Sequence, residues 1–174
     1  YIKKTGAVFL SPTAAASPLA RCGAKKEEAP AAATKGTFRT LDEIKSSGTI
    51  NIGVFSDKSP FGYVDENGAY QGYDVYFGNR IGQDLGVKIN YVSTEAANRI
   101  EYLQTGKVDV ILANFTVTPE RAQEVDFALP YMNVALGVVS PDSRVITSLS
   151  DIGADDQVIV ISGTTAETYL EKNN

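Results

Sequence analysis

Apolar positions along this chain recur with two periods, and the switches between them mark the elements. Thr40-Leu41-Asp42-Glu43 has the spacing of a capping box and predicts a short helix ending at Gly48. Ile50-Asn51-Ile52-Gly53-Val54 alternates and reads as a strand, broken by Ser59-Pro60-Phe61-Gly62. Tyr63-Val64 and Ala69-Tyr70-Gln71 flank Asp65-Glu66-Asn67-Gly68, a hairpin signal because Asn-Gly takes positive dihedrals readily. Asp74 stands where it can cap a helix over residues 75–85. Phe77, Ile81 and Leu85 recur four apart on one face of that helix, and Gly86 ends it. A strand over 88–92 follows, then a helix from Asn98 to Thr105 with Ile100 and Leu103 inward, stopped by Gly106. The run 108–113 reads as a buried strand. After it come a polar segment, a short helix from 120, a Leu129-Pro130-Tyr131 turn and an apolar strand over 134–139.

Strands alternating with helices over residues 50–139 predict an α/β fold: βαβ units with a mostly parallel sheet and helices on both faces. Such sheets bind ligands beyond the carboxyl ends of their strands. Segments 93–99 and 114–118 lie at such ends. After Val139 the pattern restarts. Ser148 to Gly153 suits a one-turn helix, 158–161 a strand, and Ser162-Gly163-Thr164-Thr165-Ala166-Glu167 a helix opening with capping-box spacing. The expected organisation is a leader and linker over 1–36, a first α/β lobe over 37–139, and a crossover with the beginning of a second lobe over 140–174.

Charge sharpens this division. Residues 1–36 carry six Lys/Arg against two Glu, and residues 37–174 carry ten against nineteen, so a basic leader precedes an acidic region of charge −9. An acidic folded part argues against nucleic acid as a partner. The chain has no His, which excludes His-based triads, His-containing zinc sites and an imidazole base. No GxGxxG, Walker or HExxH pattern occurs, so neither cofactor nor metal is expected. The leader runs basic, apolar, small, the order of a secretory signal, with Cys22-Gly23 then a polar tract. Two readings stay open: a lipoprotein signal with Cys22 as the lipidated residue, or an unstructured leader in which Cys22 is an exposed thiol.

The candidate chemistry centres on residues 111–122, Ile-Leu-Ala-Asn-Phe-Thr-Val-Thr-Pro-Glu-Arg-Ala. A strand end, free hydroxyls, a helix start and one arginine within ten residues can cradle a small carboxylate. Arg121 offers a planar pair of donors, and Thr116 and Thr118 can add to it. A cation at a helix start is disfavoured unless an anion accompanies it. Against this stands a solvated Arg121 paired with Glu120 or Glu124. Gly163-Thr164-Thr165 is a second anion cradle, although Thr at a helix start is common for structural reasons alone. Phe61 supplies an aromatic wall or a core plug. Arg99 either reads a ligand side chain or pairs with Glu95. Asp109, inside a strand run, is expected to hold a helix cap or a loop amide.

The runs GTINIGVFSDKSPFGYVDENGAYQGYDVYFGNRIGQDLGVKINYV, EAANRIEYLQTGKVDVILANFTVTPERAQEVDFALPYMNVALGV and SGTTAETYLEKN resemble the polar amino-acid solute-binding proteins of bacterial ABC importers. They resemble the cysteine- and cystine-binding members in particular. The resemblance spans roughly residues 38–174, and it rests on several motifs in the family's order. It implies two α/β lobes of the type II periplasmic-binding-protein architecture, closing on one amino acid. It implies that Arg121 clamps the ligand α-carboxylate beside Thr116, and that the Asn114 carbonyl receives the α-ammonium. Thr164 and Thr165 complete the carboxylate site, Phe61 lines its aromatic side, and Arg99 lines the cleft. The partners implied are an amino acid, cysteine or cystine, and a membrane permease. The location implied is the periplasm or cell surface with a lipid anchor, and a full-length member is expected to be monomeric.

The family's second lobe supplies an acidic residue for the ammonium and a return crossover, both beyond position 174. The sequence therefore reads as a C-terminally truncated fragment, expected to bind an amino acid weakly or not at all. Two rivals share the architecture: a small-molecule dehydratase, which needs a base facing the ligand, and the sensing domain of a receptor. The residues offer no convincing base, so a binding protein rather than an enzyme is expected.

Overall fold

A computed structural model of the chain describes residues 38–173. Its first helix, α1 (Leu41–Ser47), opens on the predicted capping box: the Glu43 carboxylate accepts the Thr40 amide at 2.7 Å, and the Thr40 hydroxyl accepts the Glu43 amide at 3.3 Å. Gly48 closes it in the left-handed region at φ 68°. Then come β1 (Thr49–Val54), β2 (Asp57–Lys58), β3 (Gly62–Val64), β4 (Tyr70–Gln71), α2 (Tyr73–Leu85) and β5 (Lys88–Ser93). A 3-10 turn over Ala96–Asn98 leads into α3 (Arg99–Gln104), and β6 (Val110–Leu112) follows. Arg121–Gln123 and Leu149–Asp151 are single 3-10 turns, and α4 (Thr165–Asn173) is the last helix.

The parallel sheet runs β5-β1-β6, in register Ile52↔Tyr91 and Ile52↔Val110. A small antiparallel sheet, β2-β3-β4, contains the expected hairpin with Tyr63 opposite Gln71. The two-residue side-chain period decides what each face of the parallel sheet buries. Ile50, Ile52 and Val54 of β1, with Leu112 of β6, pack into one cluster with Ile44 of α1 and Val75 of α2. Ile111 of β6, with Phe55 and Ala113 just past the ends of β1 and β6, forms a second cluster with Ala96. Ile52 is 0 % exposed, and burying a side chain of this size stabilises by about 1.5–3 kcal/mol.

Several details depart from the sequence reading. Asp74 does not cap α2; Gly72 occupies the cap position, with no side-chain bond, and Asp74 is buried inside the first turn. The deepest face of α2 is Asp74, Val75, Gly78 and Gly82, with Phe77, Ile81 and Leu85 only partly buried beside the core. The glycines win that face because β5 lies against it. A Cβ on Gly78 would stand 2.7 Å from the Tyr91 hydroxyl, and one on Gly82 would stand 2.6 Å from Ile89. That hydroxyl donates to the Val75 carbonyl at 3.0 Å, and burial pushes its pKa up to about 12. In α3 the most buried residue is Arg99, with Ile100 and Leu103 half-buried. Asp109 holds an amide, that of Asn51 on β1, at 2.7 Å, and also pairs with Arg39.

Residues 134–139 and 158–161 are not strands. Val139 is 98 % exposed and Ile159 94 %. An apolar run becomes a strand only with a neighbouring ladder to satisfy its amides and a face to bury, and neither segment has one. By contact the described chain forms two units: residues 38–139 with 158–173, and residues 140–157. In the smaller unit the Asp151 carboxylate accepts the Thr147 and Ser148 amides at 2.9 Å each, closing the predicted one-turn helix, and Arg144 pairs with Asp156. The leader 1–36, with Cys22, lies outside the described residues. No helix among the described residues is long and apolar enough to cross a membrane.

Candidate functional site

The three parallel strands deliver their chains to one end of the sheet, where Phe55, Thr94 and Ala113 are buried. Beyond β6 the backbone turns sharply at Asn114, a non-glycine residue at φ 44°. Asn tolerates the left-handed region better than most residues. A buried carboxylate fastens the turn: Asp74 accepts the Asn114 amide at 3.1 Å and the Tyr131 hydroxyl at 2.7 Å. Burial raises the Asp74 pKa, partly offset by those two donors, and raises that of Tyr131 as well.

Arg99, at the start of α3, is only 3 % exposed and bonds solely to carbonyl oxygens. Its Nε donates to Ala96 at 2.9 Å, and its Nη1 donates to Ala113 at 3.0 Å and Asn114 at 3.1 Å. Its Nη2 donates to Gly163 at 2.8 Å. Arg121 reaches the same Gly163 carbonyl from Nη2, also at 2.8 Å, and donates from Nη1 to the Thr116 carbonyl at 2.8 Å. Gly163 sits at φ 77°, against the backbone of Ala96 and Ala97.

Two nitrogens 2.8 Å from one oxygen stand at most about 6 Å apart, so the two delocalised cations repel by about 2–3 kcal/mol at an effective dielectric of 20. Burial first, and Arg121 second, push the Arg99 pKa down to about 10; burial also lowers that of Arg121, against the attraction of Glu120. Among the described residues neither guanidinium forms an ion pair. Glu120 pairs instead with Lys172 of α4, and Glu124 accepts the Gln104 amide group.

A guanidinium carries five N–H donors. Arg99 commits four bonds to carbonyls and Arg121 only two, so Arg121 keeps the free donors that a carboxylate needs. Glu95, the rival partner of Arg99, makes no bond to it. Thr116 meets Arg121 through its carbonyl, and the Thr118 hydroxyl accepts the Arg121 amide at 3.3 Å. The Asn114 carbonyl, expected to face an ammonium, accepts from Arg99. Thr164 places its hydroxyl between the Ile161 carbonyl, 2.6 Å, and the Glu167 amide, 3.4 Å, at the start of α4. Thr165 begins that helix, whose first amides are donors without helical partners. Phe61 is half-buried; its carbonyl accepts the Asp74 amide at 2.9 Å.

Aromatic contact with the cations comes from Phe55 and Phe115, which the sequence reading did not single out. The Arg99 Cζ lies 5.8 Å from the Phe55 centroid and 4.5 Å from that of Phe115; the Arg121 Cζ lies 4.7 Å from Phe115. Lys58 stands 5.2 Å over Phe55. Phe115 has one sequence signal, its place between Asn114 and Thr116. Asp74 and Gly163 carry other signals, a helix-cap position and the second anion cradle, and neither signal shows the bonds found here. Among the described residues no group of three or more His, Cys, Asp or Glu could hold a metal.

Residues 50–173 match the family described as bacterial extracellular solute-binding proteins, family 3. The chain superimposes on a crystal structure of the solute receptors for L-cysteine of Neisseria gonorrhoeae with TM-score 0.74 and 55 % identity, over 77 % of this chain and 55 % of that one. An ABC transporter glutamine-binding protein of Bacillus subtilis is 29 % identical over 158 residues, 88 % of this chain and 58 % of the relative. A cyclohexadienyl dehydratase of Pseudomonas aeruginosa is 30 % identical over 92 residues, 53 % of this chain and 34 % of the enzyme. The chain thus spans little more than half the length of the first two proteins.

Proposed function

Because the chain belongs to the bacterial extracellular solute-binding proteins, family 3, we propose that it is the amino-acid-capturing component of an ABC importer. It has the α/β, type II periplasmic-binding-protein fold of that family, with a parallel sheet. The observation that carries the reading is Arg121: a half-buried guanidinium without an ion-pair partner among the described residues, with donors to spare, beside a second buried cation. A carboxylate there gains a bidentate, charge-assisted pair of bonds and relieves the repulsion between the arginines. In this reading Arg121, Thr116 and the Thr164–Thr165 helix start take the α-carboxylate. The Asn114 carbonyl keeps a second lone pair for the ammonium, and Phe61 walls the cleft. Arg99 supports the clamp through the backbone. The ligand is cysteine or cystine, supported by the 55 % identity to the gonococcal receptor for L-cysteine. The lobe division at 139/140, delivery to a membrane permease and lipid anchoring at Cys22 belong to the same reading.

The relatives support a binder over a dehydratase: the glutamine-binding protein matches over 88 % of this chain and the dehydratase over 53 %. The test is isothermal titration of the chain with L-cysteine, L-cystine, L-glutamine and L-arginine, repeated on Arg121→Lys. Saturable binding of L-cysteine or L-cystine that the substitution weakens supports the reading. Binding indifferent to the substitution, or binding of L-glutamine or L-arginine in preference to both sulfur amino acids, refutes it.

A further inference from the structure

The buried Arg99 and the half-buried Arg121 share one carbonyl through nitrogens at most about 6 Å apart, so they repel and something must hold them there. A carboxylate would serve, but it would consume the N–H donors of Arg121 and close the site to an incoming carboxylate. Beside the shared Gly163 carbonyl the structure places a phenyl ring instead. We propose that Phe115 is the positioning residue of the anion clamp: its ring, in contact with both the Arg99 and Arg121 guanidiniums, holds the two cations side by side and leaves Arg121 free to bind.

The geometry supports this at each step. Both guanidinium carbons lie within the cation–π range of one ring, at 4.5 and 4.7 Å from its centroid. The attraction is strongest where the cation is desolvated, and Arg99 is 3 % exposed. A ring face neutralises part of the field without forming an N–H···O bond, so it competes neither for the Gly163 carbonyl nor for a ligand. Phe127 fixes the ring by lying 5.3 Å from it at 45°. An aliphatic residue at 115 would fill the same space and leave only the carbonyl oxygens to offset the repulsion. The binding half of this inference rests on the carboxylate reading of Arg121; the holding of the cations does not.

The test is a series at position 115 in the full chain: Leu, Tyr, and phenylalanine carrying one, two or three ring fluorines. Fluorines drain the ring face of negative charge while changing its volume little. Two quantities are read, the melting temperature without ligand and the Kd for L-cysteine. The expected result is a stepwise fall in melting temperature with each fluorine. Kd should rise in parallel, by about tenfold at three fluorines, with Tyr near the native protein. A flat melting series, or Leu equal to Tyr, overturns the inference. A graded melting series with an unchanged Kd overturns the positioning role. If the native chain binds L-cysteine and Arg121→Lys does not weaken that binding, the carboxylate reading fails, and the ligand-free melting series still decides whether the ring holds the cations. If Leu prevents folding, the fluorinated series alone decides.

Discussion

Replacing Gly163 by Ala tests the central joint of the site. Gly163 sits at φ 77°, and a Cβ there would stand 2.6 Å from the Ala97 Cα and 2.8 Å from the Ala96 oxygen. These are backbone atoms and cannot swing aside as a side chain could. The left-handed dihedral costs about 1–2 kcal/mol for a residue with a Cβ. Restoring ordinary contact requires the 162–164 turn to withdraw by roughly 1 Å. That withdrawal takes the Gly163 carbonyl from 2.8 Å to beyond bonding distance of both Arg99 and Arg121. Hydrogen bonds to charged groups are worth about 1.5–3 kcal/mol each, and since these share one acceptor their combined loss is about 3 kcal/mol. The expected total is about 4–5 kcal/mol on the docking of the turn and α4. Gly68→Ala is the control, because Gly68 has φ 80° with nothing within 4 Å of its Cβ, so only the dihedral cost of about 1–2 kcal/mol applies. Urea unfolding gives the total, and amide exchange along Thr165–Asn173 reports the docking. If Gly163→Ala matches Gly68→Ala in midpoint and leaves α4 protected, the shared-carbonyl joint is wrong.

Arg121→Lys replaces a planar fork by a point charge, so amino-acid affinity should fall by about 10- to 100-fold in calorimetry, from the loss of about 1.5–3 kcal/mol. Arg99→Leu should instead destabilise the chain by about 3 kcal/mol or more in urea, since it strands carbonyls of Ala96, Ala113, Asn114 and Gly163. Asp74, whose pKa burial raises, contributes stability that is fully present below its ordinary value of 3.8 and is lost as pH rises through the folded value. Asp74→Asn should remove that slope from a melting-temperature series against pH; an unchanged slope would assign it to other groups. Glu120 has the opposite sign. Its pKa is lowered to about 2 by the hydrogen bond from Lys172, so its contribution is present above 4.5 and lost as pH falls through about 2. Glu120→Gln should therefore flatten the acid limb, and an unaltered limb would count against the α4 contact.

The elements that local rules govern were legible in the chain itself. Thr40 and Glu43 satisfy each other's amides across three residues, and Gly48 and Gly86 end helices in a conformation that favours glycine, wherever those helices pack. The hairpin over 62–71 and the alternation of β1 depend equally on neighbours in sequence. The runs 134–139 and 158–161 were not legible, because an apolar run says nothing about whether a ladder lies beside it. The role of Asp74 is hidden for a related reason. A helix-start Asp is a common cap, and only the long-range approach of Asn114 and Tyr131 gives this one its role.

The site divides along the same line. Sequence alone determined that the segment after β6 presents an arginine and hydroxyls, although the short helix expected from 120 is a single 3-10 turn, and its order of motifs pointed to the family that the comparison bears out. Which arginine keeps free donors was decided by tertiary structure. Arg99 is enclosed by carbonyls from positions 96, 113, 114 and 163, brought together only when the strand ends and the turn before α4 meet. A guanidinium's availability is set by how many acceptors surround it, and that number is a property of the packed chain, invisible in the letters on either side of it.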